Sequence, residues 1–304
     1  MINPLDISPR IAEALAQQEA IVAFETTILS FGLPHPLNEE VAFACEVAAR
    51  GSGAVPATVA LLDGKIRVGL RDDEIQYFCS RSPEIQKVNL QNFAAVLASG
   101  RPGALTVAAS VRACALAGIR VFATGGIGGV HRGFSQTLDI SSDLRALAEY
   151  PVAVVCAGAK SVLHIPATLE TLETLGVPVV GFRTTTFPMF FTRDSHHELD
   201  TSFDDAADLA RFLRIQWSCG GGGALVVTPV PAEHAIPPGE IESWISTALA
   251  DAACSEVSGK RVTPFLLERL EELSGGRTLD ANRALVMNNA TVAAQVAAAL
   301  CTPE

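Results

Sequence analysis

Lysine is nearly missing from this sequence. The 304 residues hold only Lys65, Lys87, Lys160 and Lys260, and arginine supplies most of the positive charge. Basic side chains total 22 against 33 acidic ones, a formal net charge of -11. A nucleic-acid surface needs clustered lysine and arginine, so no nucleic-acid partner is expected. A phosphate-bearing small molecule would need a few placed cations or amides, because the global field repels anions. No two cysteines form a C-x-x-C pair. The seven (Cys45, Cys79, Cys114, Cys156, Cys219, Cys254, Cys301) stand singly, mostly in apolar or alanine-rich runs, and read as reduced core thiols. No stretch is read as the ~20 apolar residues of a membrane span. The opening MINPLDISPR lacks the basic region and apolar run of a signal peptide. A cytoplasmic protein with no membrane partner is the expectation.

What is present is a large apolar fraction. At 49% hydrophobic and 18% charged, the chain can bury a sizeable core. Short β-branched runs predict strands at Ile21–Phe24, Thr58–Leu62, Ile119–Ala123, Val152–Cys156, Val177–Phe182 and Ala224–Thr228. Alanine-rich amphipathic stretches predict helices near 7–18, 37–51, 104–117, 166–175, 203–217, 239–255, 263–274 and 279–299. This alternation implies an α/β fold, three layers α/β/α around a central, mostly parallel sheet. No repeat or linker interrupts it, so one domain over residues 1–304 is expected. In such sheets ligands sit at the carboxyl ends of strands.

Four segments place polar residues directly after predicted strands. In Phe24-Glu25-Thr26-Thr27, Glu25 is either an acid whose pKa burial raises or a strand-end cap. The run from Thr124 through Gly125-Gly126-Ile127-Gly128-Gly129 to His131 and Arg132 suggests a backbone cradle for phosphate, with a structural turn as the plainer reading. It matches neither a Walker loop nor G-x-G-x-x-G. In Asp139-Ile-Ser141-Ser-Asp143, alternating oxygen side chains suit a divalent cation, or else Ser141 or Ser142 opens a helix with acidic residues in its first turn. Lys160 follows an apolar strand and a glycine, where desolvation would favour a neutral, nucleophilic amine; a lysine snorkelling from a strand end is the alternative. His35, His164, His196, His197 and His234 read as structural or exposed, and Trp217 and Trp244 as packing residues.

Taken together, FETTILSFGLPHP, GAVPATVALLDGKIRVGL, FATGGIGGVHRGFSQTLDISSDL, VVCAGAKSVL, TPFLLERLEEL and VMNNA resemble the pseudouridine-5'-phosphate glycosidase, or indigoidine-synthase-A-like, family. They run in family order over nearly the whole chain. The resemblance implies roles residue by residue. Glu25 matches a proton donor and Lys160 a Schiff-base nucleophile. Asp139 matches a metal ligand, with Mn2+ the usual ion. Lys87, Thr106 and Val107 match sugar-phosphate contacts, and Thr124 and His131 phosphate contacts. Ser141 and Asp143 lie in a segment lining the substrate site, and Asn289 matches a site asparagine near the base. The partners implied are ribose 5-phosphate and a planar aromatic or pyrimidine ring, in a homotrimer. Some members instead attach ribose 5-phosphate to an aromatic polyketide in antibiotic biosynthesis. A class I aldolase-like enzyme and a non-catalytic sugar-phosphate-binding module are the further alternatives.

The sequence departs from the family pattern at Phe31, at Asn89 through Phe93, at Leu105, His164 and Ser202, and at Thr228-Pro229-Val230-Pro231. Apolar Phe31, Leu90, Phe93 and Leu105, if they face the site, would suit a ring less polar than uracil.

Overall fold

The computed structural model describes residues 4–193, 195–255 and 262–302; Lys260 lies outside them. Eleven strands form one sheet among the described residues. In chain order they are β1 (Leu5–Ile7), β2 (Ile21–Phe24), β3 (Val55–Leu62), β4 (Lys65–Val68), β5 (Gln86–Val88), β6 (Gly103–Leu105), β7 (Val121–Ala123), β8 (Ala153–Cys156), β9 (Val179–Phe182), β10 (Thr201–Phe203) and β11 (Ala224–Val227). The order is β1-β4-β3-β2-β7-β8-β11-β9-β10, with β6 also pairing β3 and β5. From β3 through β10 every pairing on this path is parallel. The antiparallel pairings are β3 with β4 and β3 with β6.

The strands at the centre are apolar throughout because helices cover both faces. β2 and β8 are buried at all four positions. Connection handedness assigns the helices to faces. The β2-to-β3 step and the β10-to-β11 step run one way along the sheet; the β7-to-β8 and β8-to-β9 steps run the other. Right-handed crossovers therefore put helices Leu37–Gly51 and Ala206–Ser218 on one face, and Ser142–Glu149 and Ile165–Thr174 on the opposite one. Helix Val107–Ala117 packs beside Ser142–Glu149. The direction of travel reverses between β2 and β7, so their carboxyl ends flank a topological switch point, where open α/β sheets bind ligands.

Helix Arg277–Cys301 is the described helix long and apolar enough, by length and composition, to cross a membrane. The sequence reading saw no such run. Its packing explains the composition: it lies across β2, β7 and β8 between Leu37–Gly51 and Ala206–Ser218. Leu285, Ala290, Ala293, Ala294 and Val296 are fully buried there, so it is a core helix.

Five strands escaped prediction: β1, β4, β5, β6 and β10. All are three or four residues long, and β4 reads Lys-Ile-Arg-Val, too brief to display a period. Helices Asp72–Cys79 and Phe93–Ser99 were also not predicted. Helix Leu37–Gly51 has its predicted limits.

A five-residue π-helical segment, Ile28–Gly32, follows β2 and overhangs the switch point. Asn38 fixes it. This fully buried side chain donates through Nδ2 to the Leu29 carbonyl at 2.7 Å and the Cys79 carbonyl at 2.8 Å. Ser30 Oγ adds a bond to the Phe78 carbonyl at 2.8 Å. Asn38→Ala strands two buried acceptors, so we expect a loss of about 2 kcal/mol or more in urea unfolding. Unchanged stability would mean those carbonyls find other donors.

Candidate active site

The switch point holds a cleft of about 500 Å3 in which Glu25, Lys87, Thr124 and Lys160 meet. Three of them arrive beyond the carboxyl ends of strands, and Lys87 lies within β5. Glu25 follows β2 and Thr124 follows β7; Phe24 and Ala123 are register partners, so the two polar residues emerge side by side. Lys160 follows β8 after a short run that pairs with the β7 loop. Its amide donates to the Ile127 carbonyl at 3.1 Å, and Ile127 bridges Ala159. Gly158 in that run has φ +85°, and a Cβ there would collide with the Pro188 carbonyl. Lys87 comes from β5 at the rim. Ile28, Phe31, Phe190 and Leu267 supply apolar walls.

Glu25 is the most deeply buried ionisable group in the cleft. It is 8% exposed, and its Oε1 accepts a short hydrogen bond from Thr124 Oγ1. Desolvation raises its pKa above the ordinary 4.5; Lys160, the Thr124 bond and Lys87 pull the other way, and Asp143 adds to the rise. A carboxyl held protonated toward neutral pH can act as an acid. Lys160 is half-buried rather than sealed from water. The strongest desolvation in the cleft therefore falls on the acid.

The glycine loop differs from the open cradle suggested by its composition. A Cβ on Gly126 would meet Phe190 and the Gly158 carbonyl, one on Gly128 would meet Ser141 and the Asp143 carboxylate, and one on Gly129 would meet Thr168. Four of the loop's amides are also spent within the protein, while Gly125 and Gly126 line the cleft. Gly128 N donates to Asp143 Oδ2 at 2.8 Å, Val130 N to Thr168 Oγ1 at 3.0 Å, Ile127 N to the Gly158 carbonyl and His131 N to the Asp139 carbonyl. The glycines let the loop pack closely against its neighbours.

Asp143 braces the same loop. Besides Gly128 it accepts from Ala108 N at 2.9 Å, at the start of helix Val107–Ala117, where the helix dipole favours an anion. Ser141 caps helix Ser142–Glu149, its Oγ accepting from Asp143 N at 3.2 Å. The helix-cap alternative for this segment is therefore realised. Thr106 stands at the N-cap of Val107–Ala117 next to β5, its amide bonded to the Val88 carbonyl, and its hydroxyl is buried with no partner. Val107 is buried behind it.

His131 and Asp139 sit together at the far end of the loop, Nδ1 to Oδ2 4.0 Å, outside the lining of the cleft. Asn289 is behind the cleft, fully buried, donating to the Thr124 and Gly125 carbonyls at 2.8 and 3.2 Å. It holds the loop from the rear. The asparagine that lines the cleft is Asn282, two helical turns earlier; it is 7% exposed and its buried Oδ1 has no partner. Sequence reasoning missed it. The only available signal was a polar residue on the apolar face of a helix, at the helical spacing that puts Asn289 on the same side. Among the departures, Phe31 lines the cleft. Phe93 and Leu105 are buried in the core, and Leu90 packs partly buried against it, so they leave the ring surface unchanged. His164 is an exposed helix cap and Ser202 an exposed strand residue.

The indigoidine synthase A like protein family matches residues 10–299. The chain belongs to this family. Pseudouridine-5'-phosphate glycosidase of Hahella chejuensis is 47% identical over 97% of both chains. The glycosidase of the same name from Paracoccus denitrificans is 49% identical, over 97% of this chain and 98% of that one. A solved prealnumycin C-glycosynthase in complex with ribulose 5-phosphate superposes with a TM-score of 0.91 at 38% identity, covering 99% of this chain and 98% of that one. An indigoidine synthase A-like protein from Thermotoga maritima gives 0.89 at 33% identity, over 99% of both chains. The α/β architecture is thus that of the indigoidine synthase A-like family.

Glu25 makes stability depend on pH in a defined direction. The folded state holds this proton more tightly than the unfolded chain does. Its contribution is complete below the ordinary 4.5 and is lost as pH climbs through the raised folded value. Glu25→Gln should therefore melt a few degrees above the parent at neutral pH, with the gap closing in acid. A gap of constant size across pH would mean that Glu25 is not the desolvated acid described.

Proposed function

We propose that the protein makes and breaks the C-glycosidic bond of pseudouridine 5'-phosphate, through an imine between Lys160 and C1' of the sugar. The observation carrying this is the convergence of a desolvated carboxyl, Glu25, and an amine, Lys160, in one cleft at the switch point. The relatives named pseudouridine-5'-phosphate glycosidase, at 47–49% identity over nearly full length, support the substrate.

The bond being broken dictates these groups. A C-glycoside has no lone pair on its leaving atom, so the usual protonation of a leaving oxygen offers nothing. Glu25 instead protonates the ribose ring oxygen, and the sugar opens as the Lys160 amine bonds to C1'. C1' is then bonded to both the amine and the planar ring. As the C–C bond breaks, its electron pair passes to the ring carbon, which takes up a proton. The nitrogen lone pair closes the imine, which water hydrolyses to free ribose 5-phosphate. In the reverse direction that imine accepts the electron pair of the ring carbon. Lys87, with the unpaired Thr106 hydroxyl behind it, supplies cationic and polar contacts for the sugar phosphate. Asn282 Oδ1 would accept from a ring N–H, relieving an otherwise unpaired buried acceptor. Thr124 orients the acid. His131, Ser141 and Asp143 act on the neighbouring loop and its approach to the ligand.

A divalent ion, Mn2+ or one like it, fits the Asp139 region only as a mostly hydrated species. Asp139 offers one half-exposed hard carboxylate beside His131, and no group of three His, Cys, Asp or Glu among the described residues could hold an ion. Ions of this kind keep several waters when few carboxylates are offered. When bound, it would supply charge that neutralises and orients the phosphate-bearing substrate. A homotrimeric, cytoplasmic enzyme is part of this proposal.

A second reading rests on a separate observation. Phe31, Phe190, Ile28 and Leu267 give the cleft a broad apolar wall, and the solved C-glycosynthase shares the fold at 38% identity. Joining ribose 5-phosphate to an aromatic acceptor would use the same acid and lysine in reverse.

Incubation with Mn2+, ribose 5-phosphate and either uracil or hydroxylated aromatic acceptors, followed by mass spectrometry, separates the two. A uracil adduct supports the first reading and an aromatic adduct the second. Borohydride should fix ribose 5-phosphate to the parent protein at Lys160 and leave Lys160→Ala unlabelled. Lys160→Ala should also lose turnover by at least about 10²-fold while keeping its fold. Full activity in that variant removes the imine from the mechanism. Excess chelator should abolish activity, and undiminished turnover would remove the metal.

A further inference from the structure

A second, small cavity adjoins the catalytic cleft and shares Glu25, Ile28, Thr124 and Gly125 with it. Its walls are otherwise apolar except at Cys45 and Thr58. Burial pushes the Cys45 thiol up to about 12, so it is a poor proton carrier near neutrality. Thr58 is different. It is the register partner of Phe24, the residue before Glu25, and is 4% exposed. Its Oγ1 donates to Glu46 Oε1 at 3.1 Å. Glu46, on helix Leu37–Gly51, is itself 5% exposed, and its Oε2 accepts from Arg50 Nη2 at 2.7 Å. Glu46 and Arg50 then line an open cleft near the start of β3, at the other end of the strand from the active site. Two buried polar side chains, Thr58 and Glu46, thus lead from the acid, across a cavity with room for water, to a second solvent-facing surface.

We propose that Thr58 and Glu46 form a proton path between Glu25 and bulk water that bypasses the substrate cleft. The inference rests on the reading of Glu25 and Lys160 as acid and nucleophile. A ligand seated in the cleft covers Glu25 from the front, so proton exchange during a turnover needs another way out. The observed hydrogen bond points correctly for it. Glu25 gives its proton to a cavity water, and that water gives one to Thr58 Oγ1. Thr58 passes its own hydroxyl proton to the Glu46 carboxylate, which releases it to water beside Arg50. The reverse sequence returns a proton to Glu25, and no electron pair leaves the path. Thr58 and Glu46 are positioning residues for proton movement and do not touch the substrate.

Turnover of pseudouridine 5'-phosphate by the full-length protein, in water and in deuterium oxide, tests the path. Thr58→Val keeps the shape of the side chain and removes the hydroxyl. It should lower kcat by about tenfold or more with KM unchanged, and raise the solvent isotope effect. Thr58→Ser should restore both. Glu46→Gln keeps the shape of the side chain, gives up one of its two accepting oxygens, cannot take the proton and should behave like Thr58→Val. Borohydride trapping of ribose 5-phosphate at Lys160 should persist in every variant. A purely structural role would lower the melting temperature and leave the isotope effect alone, and that result overturns the path. Parental kcat in both Thr58→Val and Glu46→Gln also overturns it while leaving the lysine chemistry standing. Failure of trapping in the unaltered protein defeats the lysine reading itself, and the path with it.

Discussion

The site depends on the burial of one carboxyl group between two parallel strands. Glu25 leaves β2 where the sheet's connections diverge, and Thr124 leaves β7 beside it. Burying a carboxylate there is costly and raises its pKa, and the hydroxyl of Thr124 offsets part of that cost by donating to it. Around this pair the rest is arranged to keep positions fixed. Asn289 holds the Thr124 and Gly125 carbonyls from behind, Asp143 ties the glycine loop to a helix start, and Asn38 pins the segment overhanging the cleft. These buried polar contacts constrain geometry more than hydrophobic burial alone would, because an unpaired polar atom in the core is expensive.

Much of this was legible in the sequence wherever chemistry follows local pattern. The run Ile-Val-Ala-Phe ahead of Glu25 has no polar member, so a buried strand ending at an acid could be read directly. The same logic located Lys160 after Ala-Val-Val-Cys, although three intervening residues pair with a loop and leave the amine half-buried. Long amphipathic helices such as Leu37–Gly51 were equally plain. Short strands were not, because three or four residues cannot display a period; β1, β4, β5 and β6 are placed by β3 and its neighbours, and β10 by β9.

The candidate residues divide along the same line. Glu25, Lys87, Thr124 and Lys160 converge because each follows or lies on a strand of the sheet. The glycine loop was harder, since composition cannot tell a loop opened for phosphate from one pressed against Phe190, Ser141 and Thr168. The choice between Asn282 and Asn289 was harder still. Both occupy the inward face of one helix, and only the tertiary position of the loop decides which reaches the cleft and which supports its wall.

β3 belongs to two neighbourhoods at once. Its first half, Val55 to Thr58, pairs in parallel with β2, and its second half, Val59 to Leu62, pairs antiparallel with β4 and, at Ala60 and Leu61, with β6. A slip of one residue along this strand would reverse inward and outward faces in both places together. The wing that carries Lys87 is therefore registered mechanically to the strand carrying Glu25, though they are far apart in the chain. Lengthening the strand itself, or the two-residue turn Asp63-Gly64 that sets its register with β4, would shift the rim of the cleft relative to its floor.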